Sequence, residues 1–478
     1  MLRMINMPEP FASNMPISSD KICSQLKLAN ALALSGSEQD HEQAKALFLH
    51  ILTIMPDHLH AWVNLGILLF ETGYTLAAIT AFSAAINYHP QCATAHAYLG
   101  NVLLYRDELA TAKEHFDVAI TLDPGMTEAH RGLSSIYKRL GNDEKSTKHR
   151  HLGCRDHAVS ILPAYTNTEP IQLLVLASAH EGNIPWRLLI DRSMLHSTIL
   201  LVEYFDGPLP CHQLVFNAIG DADLCREALE KSIDLLRTSQ VPVINSPEAV
   251  LNTRRIVNAS RFTALPGVRS PRMHLIAKAV FYDKQEVLSQ YAYPFLLRSP
   301  GFHGGNHLAR ITNSNDLQSA FKELPGENLL LIEYLDSRSP DKLFRKYRIM
   351  FINGLLYPIH MAISTNWNVH YFSSEMDEKE AYRSEEASFL NDFKGHLGEN
   401  VTTALMHISL ALDLDYCGID FGIDENSKLL LYEANPTMLI NPPTHEKKWD
   451  YRREAASSAL SAARNMFLER AALSDSSV

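Results

Sequence analysis

The residues best suited to chemistry lie in one stretch near the carboxyl end of the chain, at positions 417–440. Their pattern predicts two short strands joined by a polar, turn-forming run. Because residues two apart in a strand share a face, Glu433 and Asn435 point the same way. If the loop comprises residues 425–428, Asp420 lies opposite Glu433 on that face, and two carboxylates and an amide oxygen converge.

Oxygen donors in that number suit Mg²⁺ carried on nucleotide phosphates. The alternative is an amphipathic hairpin whose polar face meets water. Residues 429–431 are all leucine, a run that indicates a strand buried on both faces. A carboxylate at the end of such a strand needs a partner, but the stretch alone leaves both a metal site and a solvated hairpin open.

Length and composition limit what kind of protein carries this hairpin. The 478 residues suffice for two to four domains, and the apolar share of 46% is ordinary for a globular protein. The net charge of -11 argues against nucleic acid as a main partner. Six scattered cysteines favour reduced thiols in a cytoplasm, and no apolar run reaches the roughly 18 residues of a membrane span. We therefore expect a cytoplasmic protein.

The first third of the chain repeats every 34 residues. The positions that match across one period are Trp62, Leu65, Gly66, Ala78, Phe82, Ala85 and Pro90, which recur as His96, Leu99, Gly100, Ala112, Phe116, Ala119 and Pro124. This pattern resembles the tetratricopeptide repeat, a pair of helices. The glycines are predicted to let paired helices approach closely, and Trp62 is predicted to fill the space between helices. Residues 1–25 are predicted to be a flexible lead-in, and residues 26–155 the array with a polar capping helix.

Two roles stay open for such an array. Its concave face would bind a peptide or another protein, or the array would only brace the next domain or form a homodimer. Repeat architecture fixes the shape and not the partner, so the sequence does not choose between these roles.

The middle of the chain alternates apolar strands with a helix, which predicts a parallel sheet in an α/β subdomain at residues 170–246. The predicted strands are residues 171–179, 197–205, 213–218 and 241–245, and the predicted helix is residues 224–239. Residues 160–170 are predicted to be a linker. His180 and Glu181 follow the first strand, at a position where they would face a ligand. The alternative, which we prefer, is that they are ordinary loop residues.

Beyond the middle, charged side chains stand at the ends of predicted strands. One strand ends in Arg298 and leads into a loop with Gly304 and Gly305, where the backbone can approach phosphate oxygens. A later apolar strand, at residues 328–336, carries Glu333. Hairpins with glycine tips are common, so the loop alone is a weak indication of phosphate binding.

A hairpin at residues 345–363 follows, with an Asn-Gly sequence typical of a type I′ turn. Lys346 and Arg348 lie on one face of its first strand. Pairing about the turn puts His360 opposite Tyr347, and therefore facing away from Arg348, unless a bulge at the proline of the second strand turns it.

Two segments follow this hairpin. Residues 364–374 contain Trp367, His370 and Tyr371, which would face a substrate or pack on the sheet, and both interpretations stay open. Residues 377–386 are a run of charges, predicted to be a solvated face.

Taken in order, these parts resemble the ATP-grasp superfamily, which includes glutathione synthetases, D-alanine ligases and glutamate ligases that modify proteins. The resemblance covers residues 171–465 and is most specific at residues 418–438. Members of that family hold ATP between two subdomains, convert a carboxylate to an acyl phosphate and let an amine or thiol attack it. The resemblance implies a multidomain fold, an all-α tetratricopeptide repeat array followed by α/β and α+β ATP-grasp domains. The glycine loop would belong to residues 247–336 and the metal site to residues 337–472.

The resemblance also implies roles for particular residues, by position. The Mg²⁺ ligands would be Asp420, Glu433 and Asn435. The catalytic residues would be Arg348 and Arg298. The residues around ATP would be Arg255, Arg298, His303, Gly304, Gly305, Glu333, Tyr334, Leu335 and Lys346. Arg298 and Arg255 stand where the family usually has lysines, and arginine can neutralise phosphate in their place.

We therefore expect an ATP-dependent carboxylate–amine (or thiol) ligase that uses ATP and Mg²⁺ and releases ADP and phosphate. The array suggests a peptide or protein as one substrate. Two alternatives stay open: a small-molecule ligase whose repeats serve only assembly, and a scaffold that binds ATP and catalyses nothing. Neither nucleic acid nor a membrane is expected as a partner.

Overall fold

The computed structural model describes residues 19–34, 38–166, 169–301, 307–369, 374–443 and 446–475. The chain divides into two compact units between Ile136 and Tyr137. The first unit is helical, and the second contains three β-sheets. Across the described ranges, no helix combines the length and the apolar character that crossing a membrane requires.

Within the described residues of the first unit there are seven helices, and the division between the units falls within the last of them. They are α1 (Ser19–Ala33), α2 (Glu38–Ile54), α3 (Leu59–Glu71), α4 (Thr75–Tyr88), α5 (Ala93–Tyr105), α6 (Leu109–Leu122) and α7 (Thr127–Arg139). Consecutive helices pack as pairs, α1 with α2, α3 with α4 and α5 with α6. This is a helical array consistent with tetratricopeptide repeats. Helix α1 begins inside the predicted lead-in, and residues 1–18 lie outside the described part of the chain.

The recurrent glycines account for the close packing within each pair. A Cβ atom added at Gly66 would lie 2.6 Å from Cε1 of Phe82, and one at Gly100 would lie 2.7 Å from Cε1 of Phe116. Both phenylalanines are fully buried. No side-chain carbon tolerates such an approach, so the predicted role of these glycines is confirmed.

The predicted role of Trp62 is wrong, because the side chain is only half-buried and does not fill the core. Its Nε1 donates a hydrogen bond to the carbonyl oxygen of the proline that ends the preceding helix. The same contact recurs at each repeat, with distances of 2.7 Å for Trp62 to Pro56, 3.2 Å for His96 to Pro90 and 2.9 Å for His130 to Pro124. This position therefore ties the first helix of a repeat to the turn before it.

The second unit begins with a small α/β layer. Its elements are α8 (Asp143–Cys154), β1 (Val159–Leu162), β2 (Ile171–Ala177), β3 (Leu195–Leu201), β4 (Leu214–Asn217), α9 (Arg226–Leu236) and β5 (Val243–Ile244). The sheet order is β1-β3-β2-β4-β5, with β3, β2, β4 and β5 parallel, as the sequence predicts. Strand β1 pairs antiparallel with β3 and lies partly in the predicted linker. That prediction is wrong for residues 160–162, because four exposed or half-buried residues on a sheet edge carry no strand pattern of their own.

A second sheet follows a pair of short helices. The elements are α10 (Pro247–Leu251), α11 (Arg255–Phe262), β6 (Val268–Arg269), β7 (Met273–Ala277), α12 (Gln285–Leu288), β8 (Phe295–Arg298), β9 (Leu308–Ile311), α13 (Ser314–Glu323) and β10 (Asn328–Glu333). The second sheet has the order β7-β10-β8-β9 and is antiparallel throughout. One apolar cluster, which includes Ile276, Leu297, Leu331 and Ala320 of α13, buries the helix side of this sheet.

The third sheet carries the hairpins that the sequence singles out. The remaining elements are β11 (Phe344–Ile352), β12 (Leu355–Ser364), α14 (Glu380–Asn391), α15 (Phe393–Leu412), β13 (Tyr416–Ile423), β14 (Leu429–Asn435) and α16 (Arg453–Asp475). The sheet order is β12-β11-β13-β14-β6, with β6 parallel to β14 and the other pairs antiparallel. Residues on β11 and β13 alternate between two apolar cores, so the sheet is buried on both faces.

Two bulges in this sheet set the register of the polar residues. Asp420 pairs with Glu433 as the sequence predicts, although the loop has five residues rather than four. The longer loop shifts the register by one, and a bulge that leaves Tyr432 unpaired restores it. A second bulge between β11 and β12 places His360 opposite Arg348, which is the alternative that the sequence leaves open.

Candidate active site

Most of the residues predicted to bind ATP and metal converge in the second unit, although Asn435 lines a neighbouring cavity and not the one that the others share. A cavity of about 200 Å³, called the first cavity, lies between the second and third sheets. The predicted site residues that line it are Arg255, Arg298, Glu333, Tyr334, Leu335, Lys346, Arg348, Asp420 and Glu433. They come from a helix, from five strands of two sheets and from the segment after β10. The fold therefore gathers side chains that are up to 178 positions apart in the chain, as Arg255 and Glu433 are.

Asp420 is the most constrained of these side chains. Its Oδ1 accepts a hydrogen bond from Arg348 Nε at 2.7 Å, and its Oδ2 accepts one from Nη2 of the same guanidinium at 2.9 Å. The Lys346 ammonium lies 3.3 Å from Oδ2. Burial acts to raise the pKa of Asp420, but the charges of Arg348 and Lys346 outweigh it and hold the pKa well below its usual range. The carboxyl is therefore charged at neutral pH.

Arg348 and Arg298 bring positive charge to the cavity wall. Burial acts to lower the pKa of Arg348, and the Asp420 carboxylate reverses that effect, so its pKa is raised. Arg298 is 8% exposed, and its pKa falls to about 10 because it is buried and close to Arg255, an effect that Glu433 partly offsets. Both side chains stay protonated at neutral pH.

Glu433 links the end of β14 to helix α11. Its Oε1 accepts hydrogen bonds from Arg255 Nη2 at 2.6 Å and from Asn435 Nδ2 at 2.9 Å. Asn435 Oδ1 accepts from the backbone N–H of Thr437 at 2.9 Å and from its hydroxyl at 2.7 Å. The amide of Asn435 therefore turns its NH₂ group, and not its oxygen, toward Glu433.

The donor set can be compared with what Mg²⁺ requires. Asp420 and Glu433 are direct partners across β13 and β14, so their side chains share a face, and both line the first cavity. In the part of the chain that the structure describes, no group of three or more Asp, Glu, His or Cys side chains converges. Mg²⁺ on a nucleotide needs only one or two carboxylates, with water and phosphate oxygens as the other ligands, so this pair fits it. The Asn435 oxygen would become a ligand only if the amide turned away from Thr437.

The opposite end of the cavity is formed by the segment that follows β10. Glu333 Oε1 accepts a hydrogen bond from Arg269 Nη2 at 3.2 Å, and Oε2 accepts one from the backbone N–H of Arg272 at 3.1 Å. Its carboxylate thus fixes the chain just before Tyr334 and Leu335, which line the cavity. Burial raises the pKa of Tyr334, so its hydroxyl stays protonated.

Trp367 both lines a cavity and packs on the sheet, the two interpretations that the sequence leaves open. It lines the first cavity, with its ring centroid 6.1 Å from that of Tyr334 in an edge-to-face arrangement. It also packs against a small apolar cluster around Phe344 and Val369. The Arg310 guanidinium lies 4.5 Å from the Tyr334 ring centre and so stiffens the same wall.

Part of the predicted site falls outside the described residues. His303, Gly304 and Gly305 belong to residues 302–306, and His370 and Tyr371 to residues 370–373, neither of which the structure describes. The strands on either side of the glycine loop do reach the site, because Arg298 and Leu308 pair with each other and both line the first cavity.

A second cavity, of about 460 Å³, adjoins the first and shares Lys346, Arg348 and Glu433 with it. Its wall also includes His360, Arg452 and the loop at residues 181–183. Glu181 therefore lines this cavity from the loop after β2, and its carboxylate lies 3.8 Å from Arg139 Nε. His180 does not line the cavity, and its Nδ1 lies 3.0 Å from Arg150 Nη1.

Sequence reasoning missed the ion pair that holds Arg452. Its partner, Glu386, is fully buried, although residues 377–386 are predicted to be a solvated face, so that prediction is wrong for Glu386. The detectable signal is helical spacing, because Tyr382 and Phe389 lie four residues before and three residues after Glu386 and are buried with it.

No family model matches the sequence, and no curated protein matches it either. Among solved structures, MamA from Desulfovibrio magneticus RS-1 is 22% identical, with 27% of this chain and 72% of that chain covered and a TM-score of 0.25. Another crystal structure of MamA is 23% identical, with 28% of this chain and 75% of that chain covered and a TM-score of 0.25. Similarity at this level does not establish a common fold, so the array is described from its own packing.

Proposed function

We propose that the second unit is an ATP-dependent carboxylate–amine (or thiol) ligase of the ATP-grasp type. The observation that carries the proposal is the first cavity, because nine residues assigned to ATP and metal by their position in the sequence line one space. An ordinary core would not gather three carboxylates and four basic side chains at the junction of two sheets.

In this proposal ATP lies in the first cavity, with its base near Tyr334 and Leu335 and its phosphates toward Arg298, Lys346 and Arg348. A carboxylate substrate lies in the second cavity, where the two cavities share Lys346 and Arg348. A carboxylate oxygen attacks the terminal phosphorus, the bond to the bridging oxygen breaks, and ADP leaves. The amine or thiol then attacks the acyl carbon, loses its proton, and expels phosphate.

The chain's own residues would hold and balance charge during these steps. Asp420 fixes the Arg348 guanidinium by two hydrogen bonds, so this cation is positioned before the phosphates arrive. Such fixed charges stabilise a transferring phosphoryl group without reorganisation. Mg²⁺, when bound at Asp420 and Glu433, supplies further neutralisation of phosphate charge. Arg255 holds the Glu433 carboxylate in place through their 2.6 Å hydrogen bond.

One rival is an ATP-binding scaffold without catalysis. It is favoured by the Asn435 amide, whose oxygen is occupied by Thr437, and by the complete engagement of Asp420 with Arg348 and Lys346. A ligase needs these contacts to loosen when nucleotide binds, whereas a scaffold does not.

For the first unit we propose binding of a peptide or protein that serves as a substrate of the ligase. The alternative is that the array serves only assembly, including a homodimer, and that the ligase acts on small molecules. We further propose a cytoplasmic location, with neither nucleic acid nor a membrane as a partner.

The experiment that tests the activity uses hydroxylamine as the nucleophile, because it traps any acyl phosphate as a hydroxamate. The full chain is incubated with ATP, Mg²⁺ and single acids from a panel of amino acids and simple carboxylic acids, and hydroxamate, ADP and AMP are measured. The proposal predicts hydroxamate and ADP in equal amounts. AMP in place of ADP would mean adenylation of the acid, and ATP binding without any product would favour the scaffold.

A further inference from the structure

The ion pair between Glu386 and Arg452 is buried, and Arg452 lines the second cavity. Glu386 is fully buried, and the Arg452 side chain is 5% exposed. Glu386 Oε1 accepts the backbone N–H of Met361 at 3.1 Å, and Oε2 accepts the Tyr451 hydroxyl at 2.6 Å and Arg452 Nε at 3.0 Å. The Arg452 guanidinium also lies 4.2 Å from the Trp449 ring centre.

These contacts fix Arg452 from two sides at the cavity wall. A buried ion pair is weak evidence for stability, because well-packed apolar side chains of similar volume usually do as well or better. A fixed guanidinium that borders a cavity is, in contrast, well suited to bind a carboxylate. Arg452 is therefore a guanidinium that is held in place by Glu386 and Trp449 at the edge of a cavity.

The lining of the second cavity carries more basic than acidic side chains, with Arg139, Lys346, Arg348 and Arg452 against Glu181 and Glu433. His360 is buried in the same lining, and its pKa is held well below its usual range, chiefly by burial and by the charge of Arg348. A neutral imidazole adds no positive charge of its own, so the basic character of this lining comes from its lysine and arginine side chains.

We propose that the second cavity binds the acid substrate as a dicarboxylate, with one carboxylate at Arg348 and Lys346 and the other at Arg452. The inference rests on the proposed function, since the carboxylate at Arg348 is the one that becomes the acyl phosphate. The carboxylate at Arg452 does not react and sets the position of the substrate. A cavity of about 460 Å³ holds a molecule of this size with space for a nucleophile. Glu386 is a positioning residue, because it acts through Arg452.

The test compares acids of equal length with hydroxylamine as the nucleophile. Glutarate and L-glutamate carry two carboxylates on a five-carbon chain, and pentanoate carries one. The full chain with ATP and Mg²⁺ should form the hydroxamate of the two dicarboxylates with a KM about tenfold or more below that of pentanoate, the value of one charge-assisted hydrogen bond.

The variant Arg452→Gln should raise KM for glutarate about tenfold relative to KM for pentanoate measured with the same variant, and so remove the preference for the dicarboxylate. Arg453→Gln is the matched control, because Arg453 is the next residue, forms a partly exposed ion pair with Asp450 and lines neither cavity. If Arg452→Gln does not fold, the double variant Arg452→Met with Glu386→Leu removes both charges together and should give the same loss of preference for glutarate.

Equal KM values for glutarate and pentanoate in the parent, or an unchanged preference in a folded Arg452 variant, would overturn the inference and leave the ligase intact. If no acid yields a hydroxamate, the proposed function fails, and calorimetry with glutarate and a non-hydrolysable ATP analogue decides the inference separately. Glutarate binding that Arg452→Gln weakens supports it, and no glutarate binding overturns it.

Discussion

The two units of the chain bury different kinds of side chain. The first unit buries a recurring apolar set, in which Phe82 and Phe116 are fully enclosed by paired helices. The second unit has large apolar cores as well, but it also buries Arg298, Asp420 and Glu386. Apolar burial stabilises a fold directly, whereas a buried ion pair roughly offsets its own desolvation.

This comparison separates the residues that stabilise the fold from those that form the candidate site. Repeats of the first unit can exchange one apolar residue for another as long as volume is kept. Charged residues of the second unit border two cavities, and each has partners that fix its position. Substitutions in the first unit should therefore change stability, and those at the cavities should change binding, with stability affected where a charge loses its partner.

The largest effect on stability is expected at the fully buried acid of the second unit. Glu386→Gln keeps the shape but leaves the Arg452 charge without its counter-ion, so unfolding free energy should fall by about 3–5 kcal/mol. Urea denaturation measures it, with the exposed Glu380→Gln on the same helix as the control. Equal midpoints for the two variants would mean that Glu386 does not balance a buried charge.

A smaller effect is expected from crowding a helix pair in the first unit. Gly66→Ala places a Cβ 2.6 Å from the Phe82 ring, so the array should lose about 1–3 kcal/mol. The control is Gly125→Ala, where the nearest atom would be 3.4 Å away and the backbone is not in the left-handed region. Equal melting temperatures for the two variants would contradict the close packing of Gly66 against Phe82.

The buried acid at the first cavity should make stability depend on pH. The folded-state pKa of Asp420 lies below its unfolded value, so its contribution is present above about pH 4 and is lost as the pH falls toward the folded value. Unfolding free energy of the parent should fall by up to about 1.4 kcal/mol per pH unit in that range from this group. Asp420→Asn should make the unfolding free energy depend less on pH in this range. If the variant and the parent lose stability equally as the pH falls, the carboxyl is not held ionised.

The smallest effect is expected at the recurrent ring position of the first unit. Trp62→Phe keeps an aromatic ring but removes the hydrogen bond to the Pro56 carbonyl, which is worth about 0.5–1.5 kcal/mol. Trp62→His is the matched control, because histidine makes the same contact with the proline carbonyl at positions 96 and 130 and should retain the hydrogen bond. Thermal melting measures the loss of stability. A loss several times larger than this would indicate that Trp62 packs in the core of the array.

Local patterns predicted the parts of the fold that depend on local rules. The period of 34 residues was sufficient to find the helical pairs, since each pair repeats the same contacts between glycine and phenylalanine. The Asn-Gly turn has positive φ at Asn353 and Gly354, as a type I′ turn requires. The short hairpin limited the register of Asp420 to within one residue, and the predicted pairing with Glu433 holds because the bulge at Tyr432 offsets a loop that is one residue longer than predicted.

Features that depend on distant contacts could not be predicted from the sequence. Strand β1 is a strand only because β3 lies beside it. The unpaired Tyr432 and the placement of His360 depend on bulges that no residue pattern specifies. Glu386 looks solvated in sequence because its partner Arg452 is 66 positions away. The hydrogen bonds of Asn435 with Thr437 likewise appear only when the end of β14 is folded.

The central claim is that the first cavity activates a carboxylate with ATP, and Glu433 tests it most directly. Glu433→Gln keeps the shape and removes one of the two carboxylates that fit Mg²⁺, while Glu425→Gln in the exposed loop of the same hairpin is the control. The measurement is the rate of ADP and hydroxamate formation with hydroxylamine and the best acid of the panel. If metal positioning supplies about 4 kcal/mol in the transition state, Glu433→Gln should be about a thousandfold slower, and Glu425→Gln should match the parent. A folded Glu433→Gln protein that forms ADP and hydroxamate at the parent rate would contradict the claim.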